Sequence, residues 1–331
     1  MTLASTPAPP SVSQSCHWAP QWKSRSSFRY VNRPLAASFR RIRVMQHPAY
    51  SQLRPVTENV GVVLAPNPSY AALEGTNSWV VRGPGDPVSV VIDPGPQDEG
   101  HLNVLHSKAV GESIGAGTSG EEGPQATIGL VLLTHRHNDH SNGAQRFRQL
   151  SGAPVRAFDE HNCIAAEPLK DGEIIRIEGL TPTIEVLHTP GHTSDSVCFL
   201  IHSKGGSDDS DVEAIITGDT IAGRHTTMIS ETDGDLGLYI ESLQELKRRG
   251  VGVPLLPGHG PDREDTSELA ERYIERRQHR LEQVREALAK LGEDADVMDV
   301  VDEIYTDVDP VLRDAAAQST RVTIDYLKKQ Q

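Results

Sequence analysis

Between Thr134 and His140 the chain reads Thr-His-Arg-His-Asn-Asp-His, which places four potential metal ligands in six residues directly behind the apolar run Ile128–Leu133. Neutral imidazole and carboxylate are donors that zinc accepts, and a catalytic zinc keeps one position for water. In an extended segment His135 and His137 project to the same side, because side chains alternate along a strand. Asp139 and His140 then fall at the start of the next helix and can serve a second ion. A solvated polar loop would account for a lone His-x-His. It does not account for this density of ligands behind a buried strand.

Three more donors follow short apolar runs. Ile184–Leu187 leads to His192 in Thr-Pro-Gly-His-Thr, where Pro and Gly bend the backbone. Ala214–Ile216 leads to Asp219 in Thr-Gly-Asp-Thr, and a carboxylate there can bridge two cations. Pro254–Leu256 leads to His259 in Pro-Gly-His-Gly. Taken singly, these are a turn histidine, a cap aspartate and a surface histidine. Together they place ligands along one rim of a sheet.

The elements that must carry them are legible in outline. Val60–Leu64, Asn77–Arg82 and Val88–Ile92 are β-branched runs separated by Pro, Gly and Asn turns, and each is expected to be a strand. Glu99–Ala109 is weakly helical. Asn142–Leu150 and Tyr239–Arg249 are helices that stop at Gly152 and Gly250. Gly111–Ala126 and Ser203–Val212 read as polar insertions. Beyond Pro261 the style changes. Ser267–Leu291 is a long helix with Asp265 and Thr266 as cap candidates and Leu281, Val284, Leu288 and Leu291 as its apolar stripe. Two or three shorter helices follow, over Val297–Tyr305, Pro310–Ala317 and Thr320–Lys329. The expected domains are an N-terminal extension (1–45), disordered or not native to the protein, a catalytic domain (46–264) and a C-terminal helical domain (265–331).

Charge narrows the partners. Met1–Thr57 carries eight Lys or Arg and no acid, leaving 24 bases against 46 acids in the remainder, a net of −22. From Glu268 onward the balance is −5. Such a body repels phosphate backbones at long range and disfavours charge-driven nucleic-acid binding. Arg276, Arg277, His279 and Arg280 could line a groove, although a solvated helix face is the plainer reading. Three cysteines, Cys16, Cys163 and Cys198, are too scattered for a disulfide framework or thiolate cage, and Cys198 reads as core. No apolar stretch reaches the ~20 residues that span a bilayer. A cytoplasmic protein with no membrane partner is expected, and an oligomer is compatible with the sequence.

These residues resemble the metallo-β-lactamase superfamily, with its motifs at Asp93, His135-x-His137-x-Asp139-His140, His192, Asp219 and His259. The resemblance implies an α+β fold, a four-layer αββα sandwich with metals at one edge. It implies one zinc on His135, His137 and His192, a second on Asp139, His140 and His259, and Asp219 bridging. Two Zn2+ are the expected cofactors, and the same donors suit Mn2+ or Fe2+. Asp93 resembles the carboxylate that supports the histidine loop, while a plain turn residue in Asp-Pro-Gly is the alternative. His137 stands where the diiron redox members resemble Glu, which favours hydrolysis. Asp219 stands where one class of true β-lactamases has Cys, which disfavours a dedicated antibiotic hydrolase.

Gly75-Thr76-Asn77, the Ala222–Thr227 loop and Pro257–Pro261 look most like the β-lactamase-like protein 2 group, whose C-terminal domain is winged-helix-like and whose animal members are single-strand-specific endoribonucleases. The implied activity is metal-dependent hydrolysis. Water shared by two cations attacks, and its pKa falls toward ~7. Asp139 orients it or accepts its proton, and His225, Thr226 and Thr227 are candidate substrate contacts or a structural loop. Single-stranded RNA is the first substrate expected. The rival is a small-molecule ester or thioester, as in hydroxyacylglutathione hydrolases, and a catalytically silent interaction protein is the third reading.

Overall fold

Runs in which apolar residues alternate, or in which β-branched residues follow one another, become strands of two stacked sheets. The computed structural model describes residues 47–111, 114, 125–203, 206, 211–306 and 309–330. The N-terminal extension and most of the two polar insertions noted above lie outside the described residues. The first sheet has the order β1 (Leu53–Pro55), β2 (Val60–Leu64), β3 (Asn77–Val81), β4 (Val88–Ile92), β5 (Thr127–Leu132) and β6 (Val155–Arg156). It is antiparallel from β1 to β4 and parallel from β4 to β6. In the second sheet β7 (Ile174–Ile175), β8 (Thr183–His188), β9 (Val197–His202), β10 (Val212–Gly218) and β11 (Leu255–Pro257) are neighbours in sequence order. Only β10 and β11 pair in parallel there.

Alternation sorts the strand side chains between layers. Val197, Phe199 and Ile201 of β9 join Trp79, Ile92 and Leu132 in a core between the sheets. Cys198 and Leu200 of the same strand face outward into a second core. That core is shared with helices α4 (Leu236–Arg249) and α5 (Thr266–Leu291). The outer face of the first sheet is covered by α1 (Glu99–Gly111) and α3 (Ala144–Ser151), through Leu102, Leu105 and Phe147. A four-residue helix, α2 (Asn138–Ser141), follows β5. The result is the expected α+β, four-layer αββα sandwich.

One strand, β9, carries no candidate ligand and lies at the centre of the second sheet. Pro310–Ala317 and Thr320–Lys329 are not separate helices. A 3-10 turn at Pro310–Leu312 leads into one helix, α7 (Arg313–Lys329), because neither Gln318 nor Ser319 breaks it. On α5 the expected stripe holds at Leu281 and Val284, which are buried, and at Leu288, which packs partly buried on the same core; it continues through Ala270, Tyr273 and Ile274, while Leu291 is exposed. The basic group on this helix is not a uniformly solvated face either, since Arg277 is buried. Asp265 caps α5 as anticipated, accepting from Glu268 N at 2.8 Å. Helix α6 (Val297–Ile304) and α7 pack on α5, and among the described residues no strand follows β11. Among the described residues no helix is long and apolar enough to cross a membrane.

Candidate metal centre

The C-terminal ends of β5, β8, β10 and β11 open on one edge of the sandwich. Backbone bonds stitch the two sheets together there: Val197 N donates to Thr134 O at 2.8 Å and Asn77 N to Gly258 O at 2.8 Å. The loops that follow bring all seven predicted ligands together. His135, His137 and His192 form one group whose donor atoms lie within 4.8 Å of one another, and Asp139, His140 and His259 form another. Asp219 groups with His135 and His140 by the same measure. Its Oδ2 lies 3.9 Å from His192 Nε2 and 3.4 Å from His259 Nε2, so one carboxylate reaches both groups.

Four of the five imidazoles, all but His137, are aimed by a partner on the far side. Asp93, buried and held at φ +53°, accepts from Thr134 N (2.8 Å), Thr134 Oγ1 (2.7 Å) and His140 Nδ1 (2.8 Å). It is therefore both a turn residue and a support of the histidine loop. Thr134 Oγ1, its proton committed to Asp93, accepts from His135 Nδ1 at 3.0 Å. His192 Nδ1 donates to Met228 O at 2.5 Å and His259 Nδ1 to Gly75 O at 3.2 Å. These partners, all on Nδ1, turn the Nε2 atoms of His135, His140, His192 and His259 inward. Arg136 lies on the opposite side of the extended segment, as alternation requires, and pairs with Asp233. Gly258 is obligatory, because a Cβ there would sit 2.6 Å from Asp219 Oδ1 and 2.7 Å from His140 Cε1.

The centre accepts a cation on its own geometry. His137 Nδ1 lies 3.0 Å from Nε2 of both His135 and His192, and a single ring proton can satisfy at most one of these approaches. Asp219 Oδ1 is buried without a hydrogen-bond partner. Burial, followed by neighbouring imidazoles, holds His135 well below its ordinary pKa, and burial holds His192 at about 4. Burial likewise lowers His137, so all three are neutral donors at neutral pH. Burial also opposes charge on His140 and His259, but the carboxylates around them outweigh it and raise both. Asp139 is held at about 2: burial would raise it, and the His259 hydrogen bond with the His140 and His259 charges prevails. Inward-facing imidazole nitrogens beside ionised carboxylates are the donor set that divalent ions of the zinc class accept.

The expected substrate loop is partly committed to the protein. His225 Nε2 donates to Ala71 O at 2.7 Å, Thr226 Oγ1 accepts from Arg276 at 3.3 Å, and Thr227 is buried with its carbonyl held by Arg277. Sequence reasoning missed Met228 and Gly75, since both act through backbone carbonyls that every residue possesses. The Thr134 relay had one signal, a hydroxyl next to the first histidine.

Comparison with known proteins agrees with this geometry. Residues 71–259 match the family described as the Metallo-beta-lactamase superfamily. An atrochrysone carboxyl ACP thioesterase from Aspergillus fumigatus is 31% identical over 233 residues, 69% of this chain. The match spans 64% of that thioesterase, slightly under two thirds of its length. A β-lactamase-like protein 2 homologue from Caenorhabditis elegans is 26% identical over 294 residues, covering 85% of this chain and 89% of the relative. Among solved structures, a β-lactamase domain protein from Burkholderia ambifaria superposes with a TM-score of 0.64 at 17% identity, covering 86% of this chain and 90% of its own.

Proposed function

The chain belongs to the metallo-β-lactamase superfamily, and from that footing we propose that it is a dinuclear metal-dependent hydrolase acting on a carbonyl thioester or ester. The observation that carries the hydrolase is the convergence of five imidazoles and two carboxylates, with His137 Nδ1 3.0 Å from Nε2 of both His135 and His192. His135, His137 and His192 would hold one cation, Asp139, His140 and His259 the other, and Asp219 would join them. When bound, two divalent cations supply a water ionisable near neutral pH and positive charge for the oxyanion that forms on the carbonyl oxygen.

The residues have separable tasks. Asp93 and Thr134 hold His135 and His140 in the ligating tautomer. The Asp139 side chain is 36% exposed, against 17% for Asp219 and 6% or less for His140, His192 and His259, which suits a group facing the attacking water. Held at about 2, its carboxylate is a weak base. Its task is to orient the water and hand the proton on to the leaving thiolate or alkoxide. Thr226 is exposed and His225 half-buried, so these two keep the proposed role of substrate contacts, whereas Thr227 is buried.

A thioester is favoured over RNA by two observations. The relative from A. fumigatus is named a thioesterase. The chain beyond residue 57 is strongly acidic, and phosphate backbones are repelled by such a surface. Single-stranded RNA is the second reading, supported by the likeness to β-lactamase-like protein 2 along most of the chain. Purified protein tested with an acyl thioester, a fluorogenic single-stranded RNA and a β-lactam separates the two. The expected result is thioester hydrolysis that a chelator abolishes and added Zn2+ or Mn2+ restores. RNA cleavage without thioester turnover would replace the first reading with the second. Turnover that persists after complete metal removal would discard both.

A further inference from the structure

The helices beyond the family match supply none of the seven ligands, yet they hold the segment that aims one of them. Three consecutive carbonyls tell the story. Met228 O accepts from His192 Nδ1 at 2.5 Å. On one side of it Thr227 O accepts from Arg277 of α5, and on the other Ile229 O accepts from Gln318 of α7 at 2.9 Å. Ser230 N returns to His192 O at 3.0 Å. Further along the same segment Arg321 of α7 pairs with Glu231, and Tyr273 of α5 places its hydroxyl 3.0 Å from Ala222 O.

A carbonyl can fix an imidazole only if it is itself fixed. The Met228 side chain is 41% exposed, so little packing of its own holds this peptide in place. The hold comes from its neighbours. Arg277 is only 7% exposed, and its guanidinium lies 5.1 Å from the centre of the Tyr239 ring. Burying a guanidinium is costly unless it is well engaged, so the carbonyl of Thr227 is held from a stiff, preorganised point.

We propose that Arg277 and Gln318 are positioning residues for His192, and that the C-terminal helices act as a clamp on the three-histidine half of the metal centre. The proposal rests on the dinuclear reading above. It assigns the appendage a task inside the reaction, and it predicts that loosening the clamp weakens one ion and spares the other.

The test is a two-step Zn2+ titration of the full chain against a competing chelator. His192→Ala and His259→Ala identify which step belongs to which half. Removing a group that orients a ligand costs about 10–100-fold in metal affinity, so Arg277→Met and Gln318→Leu are each expected to weaken the His192 step about tenfold and leave the other unchanged. Arg277→Lys, which retains a donor toward Thr227 O, is expected to restore much of the loss. Gln318→Leu exposes no buried charge and tests the clamp even if Arg277→Met folds poorly. Two steps of wild-type affinity in folded Gln318→Leu and Arg277→Met proteins would overturn this inference alone. Equal weakening of both steps would also overturn it, since general loosening of the fold would explain that. Wild-type protein that takes up no metal would overturn the dinuclear reading and the clamp with it.

Discussion

Two polar clusters are buried against the second sheet, and they are built on opposite principles. One joins Glu185 of β8, His202 of β9 and Arg249 of α4. The guanidinium grips the carboxylate through two bonds of 2.6 and 2.8 Å, and His202 Nε2 lies 3.1 Å from the same carboxylate. The other is the candidate metal centre, where the ion pairs run only between imidazoles and carboxylates and where Asp219 Oδ1 has no hydrogen-bond partner. The first cluster carries a fixed cation in its sequence, although His202 Nδ1 is buried there without a hydrogen-bond partner. The second has carboxylates faced only by imidazoles, whose charge depends on protonation or on a bound cation, with no Lys or Arg in its ion pairs. Burial alone does not mark a functional site; a buried cluster without a fixed cation to balance its carboxylates is the better candidate.

Breaking the bridge between the two halves of the open cluster should have the largest effect. Asp219→Ala removes the one carboxylate that reaches both groups. Catalytic turnover is expected to fall on the order of 10³-fold, the scale of losing a main electrostatic stabiliser, and elemental analysis should find fewer than two ions per chain. Full turnover with two ions retained would show that the bridge is dispensable. Breaking the closed cluster should act on stability instead. Arg249→Met strands Glu185 and is expected to cost about 3–5 kcal/mol of unfolding free energy, read as a lower denaturant midpoint, with metal content unchanged in the folded protein. Metal loss in that variant would mean that the two clusters are coupled.

The smallest effect sharpens the contrast through pH. Burial alone would raise the Glu185 carboxyl, but the hydrogen bonds from Arg249 and His202 outweigh it and hold it at about 2, below the usual 4.5. A depressed carboxyl contributes stability that is complete above its unfolded value and is lost as pH falls through the folded one. Stability of the metal-free protein should therefore decline between about pH 4.5 and 2 in part because of this group. Glu185→Gln should flatten that limb in an acid-denaturation series. An unchanged limb would remove Glu185 as a contributor.

Much of the centre could be read in the sequence because ligand chemistry restricts residue type. Only a few side chains bind zinc-class ions, and here they follow apolar runs at short range, so His135, His137, Asp139 and His140 stand out even in isolation. His192, Asp219 and His259 were legible by their shared context, each after a strand and beside a glycine. The strands β2, β4 and β8 were legible from alternation and β-branching. β1, β6 and β7 are too short to show a period, and β9 drew attention only through Cys198. The unity of α7 was hidden by Gln318 and Ser319, polar residues that read as a break from one side and as a continuous helix once Ala316, Ala317 and Thr320 are seen to be buried.

The sequence by itself determined the candidate donor set and the spacing that orders it, since these depend on residue identity and on the two-residue period of an extended chain. Only the tertiary structure decided which groups face each other across 125 positions from His135 to His259, and whether Asp93 supports the histidine loop or merely turns the chain. It also decided that Arg277 is buried and not solvated. The physical reason is that orientation here is set by backbone carbonyls and amides, such as Met228 O and Gly75 O. These atoms are the same in every residue and acquire a role only from where the chain places them.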